Sequence, residues 1–288
     1  MYVILGAAGH IGSQLVESLK TIGENIVAVT HDADKAHSVT AGSVKGVAVD
    51  LKDADALRDI FHKGKRAFLL NPQAPPTTDT NSEELGMAKS ISDAVKGSGL
   101  EKVVVVSTYG AQEGDAIGDL SVLWEFERLI KTAGVPMAVN RGAYYFTNID
   151  MLVDAAQNGE LPTPFPEDFV MPMVSPIDLG KVAAARLTSP VEDIGVKYVE
   201  GPRRYSFADV AAILSDAVGR HVETKRIPRD GIKASYLEQG FSEPAARAFT
   251  NMTLATLDQG PDLPTDPILG EVTLEQHVKS TIEATSGR

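Results

Sequence analysis

The sequence predicts an α/β fold, a doubly wound and mostly parallel sheet with a smaller mixed α/β lobe at its C-terminal side. Three observations carry this. The apolar run Tyr2-Val3-Ile4-Leu5 enters the turn Gly6-Ala7-Ala8-Gly9-His10-Ile11-Gly12, and Ile11, Leu15, Leu19 and Ile22 then recur at helical spacing up to Gly23. Further apolar strands alternate with helical patterns, which implies βαβ units and parallel pairing. After about residue 150 the texture changes, so residues 1–150 read as one unit and 151–288 as a smaller substrate or lid region, with the chain returning to the sheet near 170–200.

Each element has its own justification. Strands are expected at Asn25–Thr30, Val44–Asp50, Arg66–Asn71, Lys102–Thr108 and Pro136–Arg141. The Val103–Val106 run is unbroken because a central parallel strand is covered on both faces. Asp53 caps a helix that buries Leu57, Ile60 and Phe61. Leu85, Ala88, Ile91 and Val95 line a second helix, and Val122, Phe126, Leu129, Ile130 and Ala133 a third that ends at Gly134. Leu161-Pro162-Thr163-Pro164-Phe165-Pro166 reads as a loop, since proline suits neither a helix interior nor a central strand. Beyond it, helices are expected at Ile177–Thr188, Ser206–Val218, Ser242–Asp258 and Thr273–Ala284, with short strands at Val196–Glu200 and Val222–Ile227.

Composition narrows the function. The 288 residues are 43% hydrophobic and 23% charged, as in an ordinary globular chain. A formal net charge of −12 repels a phosphate backbone, so direct nucleic-acid binding is not expected. With no cysteine there is no disulfide framework or thiolate nucleophile, and the six histidines show no metal-ligand spacing. The first strand begins at residue 2 without a basic n-region, and no run approaches the length of a membrane span. The expectation is therefore a cytoplasmic protein with no metal site and no membrane partner.

The glycine turn is the sharpest motif. Strand, turn and helix stand in the order of a Rossmann-like dinucleotide site, in which Gly6 makes the turn, Gly9 lets a pyrophosphate approach and Gly12 lets helix and strand pack. Ala7, Ala8, His10 and Ile11 share that cradle, at the positive end of the helix dipole. Ligands of such sheets bind beyond the carboxyl ends of the strands. The second strand ends at Thr30-His31-Asp32, where His31 and Lys35 suit the 2′-phosphate of NADP, while Asp32 leaves NAD as the alternative. Asp50 and Leu51, after the third strand, either contact adenine or merely cap a turn. Leu70, Asn71 and Pro72, after the fourth, run beside the ribose and nicotinamide. Ser107 and Thr108 end the fifth strand and are expected to hold the nicotinamide, with Tyr109 beside them as candidate proton donor and substrate contact and Thr108 as a second catalytic candidate. Arg141, Tyr144 and Tyr145 are the candidate substrate wall, the two tyrosines reading equally well as core.

Gly6-x-x-Gly9-x-x-Gly12, Asp50-Leu51, Asn71-Pro72, Ser107-Thr108 and Gly134-Val135-Pro136 running into Asn140-Arg141-Gly142 together resemble the NmrA-like family of atypical short-chain dehydrogenases/reductases. Val174-Ser175-Pro176-Ile177-Asp178-Leu179-Gly180 and Ser206-Phe207-Ala208-Asp209 extend the resemblance to about residue 225. The family includes NAD(P)H-dependent quinone and dye reductases, ether reductases and inactive dinucleotide-sensing regulators, so it implies a fold more than a reaction.

Ordinary short-chain dehydrogenases use Tyr-x-x-x-Lys, in which the lysine lowers the phenol pKa from one helix turn away. None of the seven tyrosines has lysine at i+4. The expected reaction is therefore hydride transfer from NADPH, or NADH, to a small aromatic acceptor such as a quinone, azo compound or dye, whose own electron demand does much of the work. The alternatives are a non-catalytic NAD(P) sensor with a regulatory protein partner, and a nucleotide-sugar epimerase or dehydratase. Glu83-Glu84 and Glu125/Glu127 read as solvated helix faces, and apolar surface around Val122 to Phe126 suggests a homodimer contact.

Overall fold

The computed structural model describes residues 1–286. β1 (Tyr2–Leu5) is buried along its whole length, and α1 (His10–Thr21) follows it through the glycine turn. β2 (Ile26–Thr30), α2 (Ala33–Val39) and β3 (Val44–Ala48) extend the sheet to one edge. α3 (Ala54–Phe61), capped by the Asp53 side chain, returns the chain to β4 (Arg66–Leu69) on the other side of β1. Then come α4 (Thr80–Val95), β5 (Lys102–Thr108), α5 (Asp119–Thr132) and β6 (Met137–Gly142).

The rest of the chain weaves between the lobe and the sheet. β7 (Tyr144–Tyr145), α6 (Thr147–Asp150), α7 (Val153–Gln157), β8 (Glu160–Thr163) and β9 (Met173–Val174) lead to α8 (Pro176–Thr188), which packs along α1. β10 (Gly195–Glu200) joins the main sheet beside β6. α9 (Phe207–Val218), β11 (Glu223–Arg226), α10 (Ile232–Glu238) and α11 (Glu243–Gln259) follow, and β12 (Ile268–Leu269) and α12 (Leu274–Ser286) complete the described chain. The eight-stranded sheet runs β12-β10-β6-β5-β4-β1-β2-β3, with every pairing parallel. Strand order reverses between β1 and β4, which opens a crevice beside the start of α1.

Three apolar clusters hold this together. One lies between the sheet and α1 with α8, and includes Ile4, Leu15, Val104 and Leu187. A second lies on the opposite face under α3, α4 and α5, and includes Leu5, Phe61, Val105 and Phe126. The third is the core of the C-terminal lobe, around Phe146, Tyr205, Phe207 and Leu214.

Several expectations are corrected. Residues 161–166 are not all loop: Leu161 to Thr163 belong to β8, which pairs only with β11, so the missing N–H of Pro162 interrupts no larger sheet. Val122 and Phe126 are 1% and 0% exposed and therefore offer no dimer surface. On α4 the buried stripe is Thr80, Glu84, Ala88, Ile91 and Val95, while Leu85 is turned to solvent. Glu84 is thus not on a solvated face, and Glu127 is partly buried against Arg141.

Candidate active site

The glycine turn is built as an anion cradle. Gly6 adopts φ +66°, and a Cβ on Gly12 would stand 2.2 Å from the Gly6 carbonyl oxygen, so neither position accepts a side chain without a shift. Gly9 N–H donates to Gly6 O at 2.9 Å, and the first bond of α1 runs from Ser13 N–H to Gly9 O. The N–H groups of His10, Ile11 and Gly12 therefore emerge from the helix start without helical acceptors, and Gly9 supplies no capping side chain. Ala7 is buried, whereas Ala8, Gly9 and His10 are exposed, leaving the donors open to a ligand. Bare donors at a positive helix end fit a diphosphate. The His10 side chain lines a 270 Å³ cleft with Gln14, Ser175 and His277, on the side of α8 and α12.

At the tip of β2, Asp32 accepts Lys35 N–H and caps α2. His31 Nε2 lies 3.3 Å and Lys35 Nζ 3.8 Å from the second Asp32 oxygen, with both basic side chains exposed. The fold thus brings His31 and Lys35 together around one carboxylate. Asp50 Oδ1 accepts Lys52 N–H, a turn-capping role, while Leu51 packs against the second apolar cluster. Leu70 covers the glycine turn, its Cδ2 standing 3.3 Å from where a Gly6 Cβ would be. Asn71 donates from Nδ2 to the Glu84 carbonyl, and half-buried Pro72 follows it.

The end of β5 divides its residues between the two faces of the sheet. Ser107 is fully buried and its Oγ has no hydrogen-bond partner among the described residues, whereas Thr108 is half-buried. Tyr109 is turned into the first apolar cluster, edge-on to Tyr198, and donates to Glu200 Oε2 at 3.4 Å. Burial, with the Glu200 carboxylate next, pushes its phenol well above the usual range, which makes it a poor proton donor. Arg141, expected at the substrate wall, spends its guanidinium on a bidentate pair with Glu127 of α5, both bonds being 2.9 Å.

Tyr144 and Tyr145 stand where the clusters meet: Tyr145 packs against the first and Tyr144 against the lobe core. Burial raises both phenol pKa values; Tyr144 also feels Tyr236 of α10, and Tyr145 feels Asp119 of α5. Gln73 Nε2 donates to Asp119 Oδ2 at 3.0 Å, and burial raises the Asp119 carboxyl above the usual range despite that bond. α11 closes over these groups. Ser242 bonds the carbonyls of Pro76 and Thr78, and Asn251 bonds that of Ala116. Asp119, Glu84 and Tyr236 are the site residues that sequence reasoning missed. Asp119 follows Gly118 at a helix start, a usable signal, whereas nothing local distinguishes Glu84 from Glu83. Among the described residues, no group of three His, Asp or Glu is placed to hold a metal ion, and no helix is long and apolar enough to cross a membrane.

The chain resembles known proteins along most of its length. The chain is 26% identical over 253 residues to an NAD(P)H azoreductase of Xenophilus azovorans, covering 88% of this chain and 86% of that one. Its fold matches a Citrobacter sp. triphenylmethane reductase complexed with NADP(H), with TM-score 0.81, 19% identity and coverage of 98% and 100% of the two chains. It also matches an Escherichia coli NADPH-dependent quinone oxidoreductase complexed with NADPH, with TM-score 0.82, 19% identity and coverage of 97% and 99%. The sequence pattern of the NmrA-like family matches residues 2–283, and the chain belongs to that family.

Proposed function

We propose that the protein is an NADPH-dependent reductase of a small aromatic acceptor, a quinone, azo compound or dye. The observation that carries the reading is the uncapped glycine turn at the point where strand order reverses, with Gln73, Asp119 and Tyr145 gathered in the segments that follow β4, β5 and β6. The azoreductase and dye and quinone reductases named above support it. Gly6 to Gly12 would hold the diphosphate, His31 and Lys35 the 2′-phosphate, and Leu70, Asn71, Pro72 and Thr108 would flank the nicotinamide. When bound, the dihydronicotinamide supplies a hydride. The chain's own work is to orient the acceptor against that group and to exclude water, with the tyrosines as wall and α11 as cover.

Oxidation of NADPH and NADH against a panel of quinones, azo compounds and cationic dyes tests this, alongside calorimetric titration of both nucleotides. The expected result is turnover of at least one acceptor with tighter NADPH than NADH binding. Tight nucleotide binding with no turnover of any acceptor would assign the sensor role instead. No heat with either nucleotide would defeat both readings.

A further inference from the structure

Four of the six buried side-chain polar atoms without a hydrogen-bond partner among the described residues belong to adjoining elements: Asn71 Oδ1, Thr80 Oγ1, Asn81 Oδ1 and Ser107 Oγ. The β4–β5 register pairs Leu69 with Val105, so its continuation sets Asn71 opposite Ser107 on one face of the sheet. That face is the one whose Val103 and Val105 pack with Ala88 and Ile91 of α4. Thr80 and Glu84 continue the same α4 stripe, and Asn71 reaches the Glu84 carbonyl at 3.1 Å. Thr80 is 2% and Ser107 0% exposed. Buried hydroxyls and amides left without protein partners are costly, and internal water is the usual means of satisfying them.

Glu84 shares the buried stripe of α4 with Thr80. It is 4% exposed, and its Oε1 accepts Ala74 N–H at 2.9 Å. Among the described residues no cation pairs with it. Asp119 of α5 is the charged neighbour whose field acts on it. Glu83 is turned outward to Lys52, Arg58 of α3 bonds Asp55 and the Asp93 carbonyl, and on the α11 side Glu243 pairs with Lys233 while Arg247 is exposed. Burial, with Asp119 next, raises the Glu84 pKa to about 8, so the carboxyl is largely a neutral acid at neutral pH.

We propose that Glu84 stores the proton that completes reduction of an uncharged acceptor, and that the Ser107 hydroxyl and water held among the unpaired oxygens pass it on. The inference rests on the reductase reading above and deepens it. Hydride addition to a quinone leaves an electron pair on one oxygen as a hydroquinone monoanion. The Glu84 O–H bond breaks, the proton goes to that oxygen, and the carboxylate regains a proton from solvent. An azo group likewise forms one N–H bond by hydride addition and needs a proton at the second nitrogen. A cationic triphenylmethane dye needs none, because a hydride at its central carbon forms a C–H bond and yields a neutral product. Glu84 acts through Ser107, and so as a positioning residue rather than one that touches the acceptor.

The test compares wild type, Glu84→Gln and Ser107→Ala with a benzoquinone and a cationic triphenylmethane dye, each with NADPH, from about pH 6 to 10. A second readout follows the carboxyl infrared band of the cofactor-free protein over the same range. The expected results are a quinone rate that falls through about pH 8 with no such limb for the dye, and a carboxylic acid band titrating there that Glu84→Gln removes. Either substitution should lower the quinone-to-dye rate ratio by roughly tenfold or more. An unchanged ratio in both variants, or a quinone limb that persists in Glu84→Gln, overturns the proton store while leaving the reductase reading in place. Wild type that turns over neither acceptor overturns the reductase reading and this inference with it.

Discussion

Gln73, in the loop that follows β4, is tied to Asp119 at the start of α5 by a 3.0 Å bond from its amide to the carboxylate. The bond opposes the rise that burial imposes on the Asp119 carboxyl. Gln73→Leu removes the donor while keeping much of the volume, so the loop loses its tie to α5 and Asp119 is left more often protonated. We expect acceptor KM to rise about fivefold with a smaller change in kcat, read by steady-state kinetics.

Gly12→Ala puts a methyl group 2.2 Å from the Gly6 carbonyl and 2.9 Å from the Ala7 Cα, both backbone atoms that cannot rotate away. The turn must deform, at a cost of at least about 2 kcal/mol, and the cradle deforms with it. Thermal unfolding should show a lower Tm, and calorimetry should show nucleotide binding weakened by more than about tenfold.

His31 and Lys35 converge on Asp32 at the tip of β2. The double variant His31→Ala/Lys35→Ala should raise the Kd for NADPH about tenfold and leave that for NADH within about twofold, since only NADPH carries the 2′-phosphate. Equal losses for both nucleotides would place the 2′-phosphate elsewhere.

Tyr109 hydrogen bonds Glu200 inside the first apolar cluster. Tyr109→Phe should cost about 1 kcal/mol of stability and leave kcat/KM within about twofold, because the phenol is a partner of Glu200 and a weak acid. A loss of kcat above about tenfold at constant KM would return the phenol to the chemistry.

The pH dependence of stability carries a sign set by Glu84. Its pKa is raised from 4.5 to about 8 by burial and the Asp119 charge, so the folded state holds a proton that the unfolded chain releases. This contribution is fully present below about 4.5 and is lost as the pH rises through about 8. At about 1.4 kcal/mol for each pH unit, it amounts to roughly 5 kcal/mol across that window. Denaturant unfolding of wild type should therefore lose stability between those limits, and Glu84→Gln should flatten the slope.

How much was legible depended on how local the cause was. β5 spans Lys102–Thr108, the range expected from its unbroken valines, because a strand covered on both faces must be apolar throughout. Asp53 caps α3 as expected, since a cap is an interaction over three residues. β12 has two residues and exists only through its pairing with Val199 and Glu200, so no local pattern announces it. Tyr109, Arg141 and Glu84 share a different difficulty. Each was assigned to solvent or to a pocket by its place along the chain, whereas the partners that decide its state, Glu200, Glu127 and Asp119, lie on other elements.

The sheet, its parallel sense and the glycine cradle could be read from the residues in order, because side-chain periodicity and backbone permissiveness act within a few residues. Tertiary structure alone decided which acids are charged. A carboxyl such as Glu84 takes its pKa from the low-dielectric surroundings and the second carboxylate that folding brings to it, and a helix phase differing by one residue exchanges that environment for water.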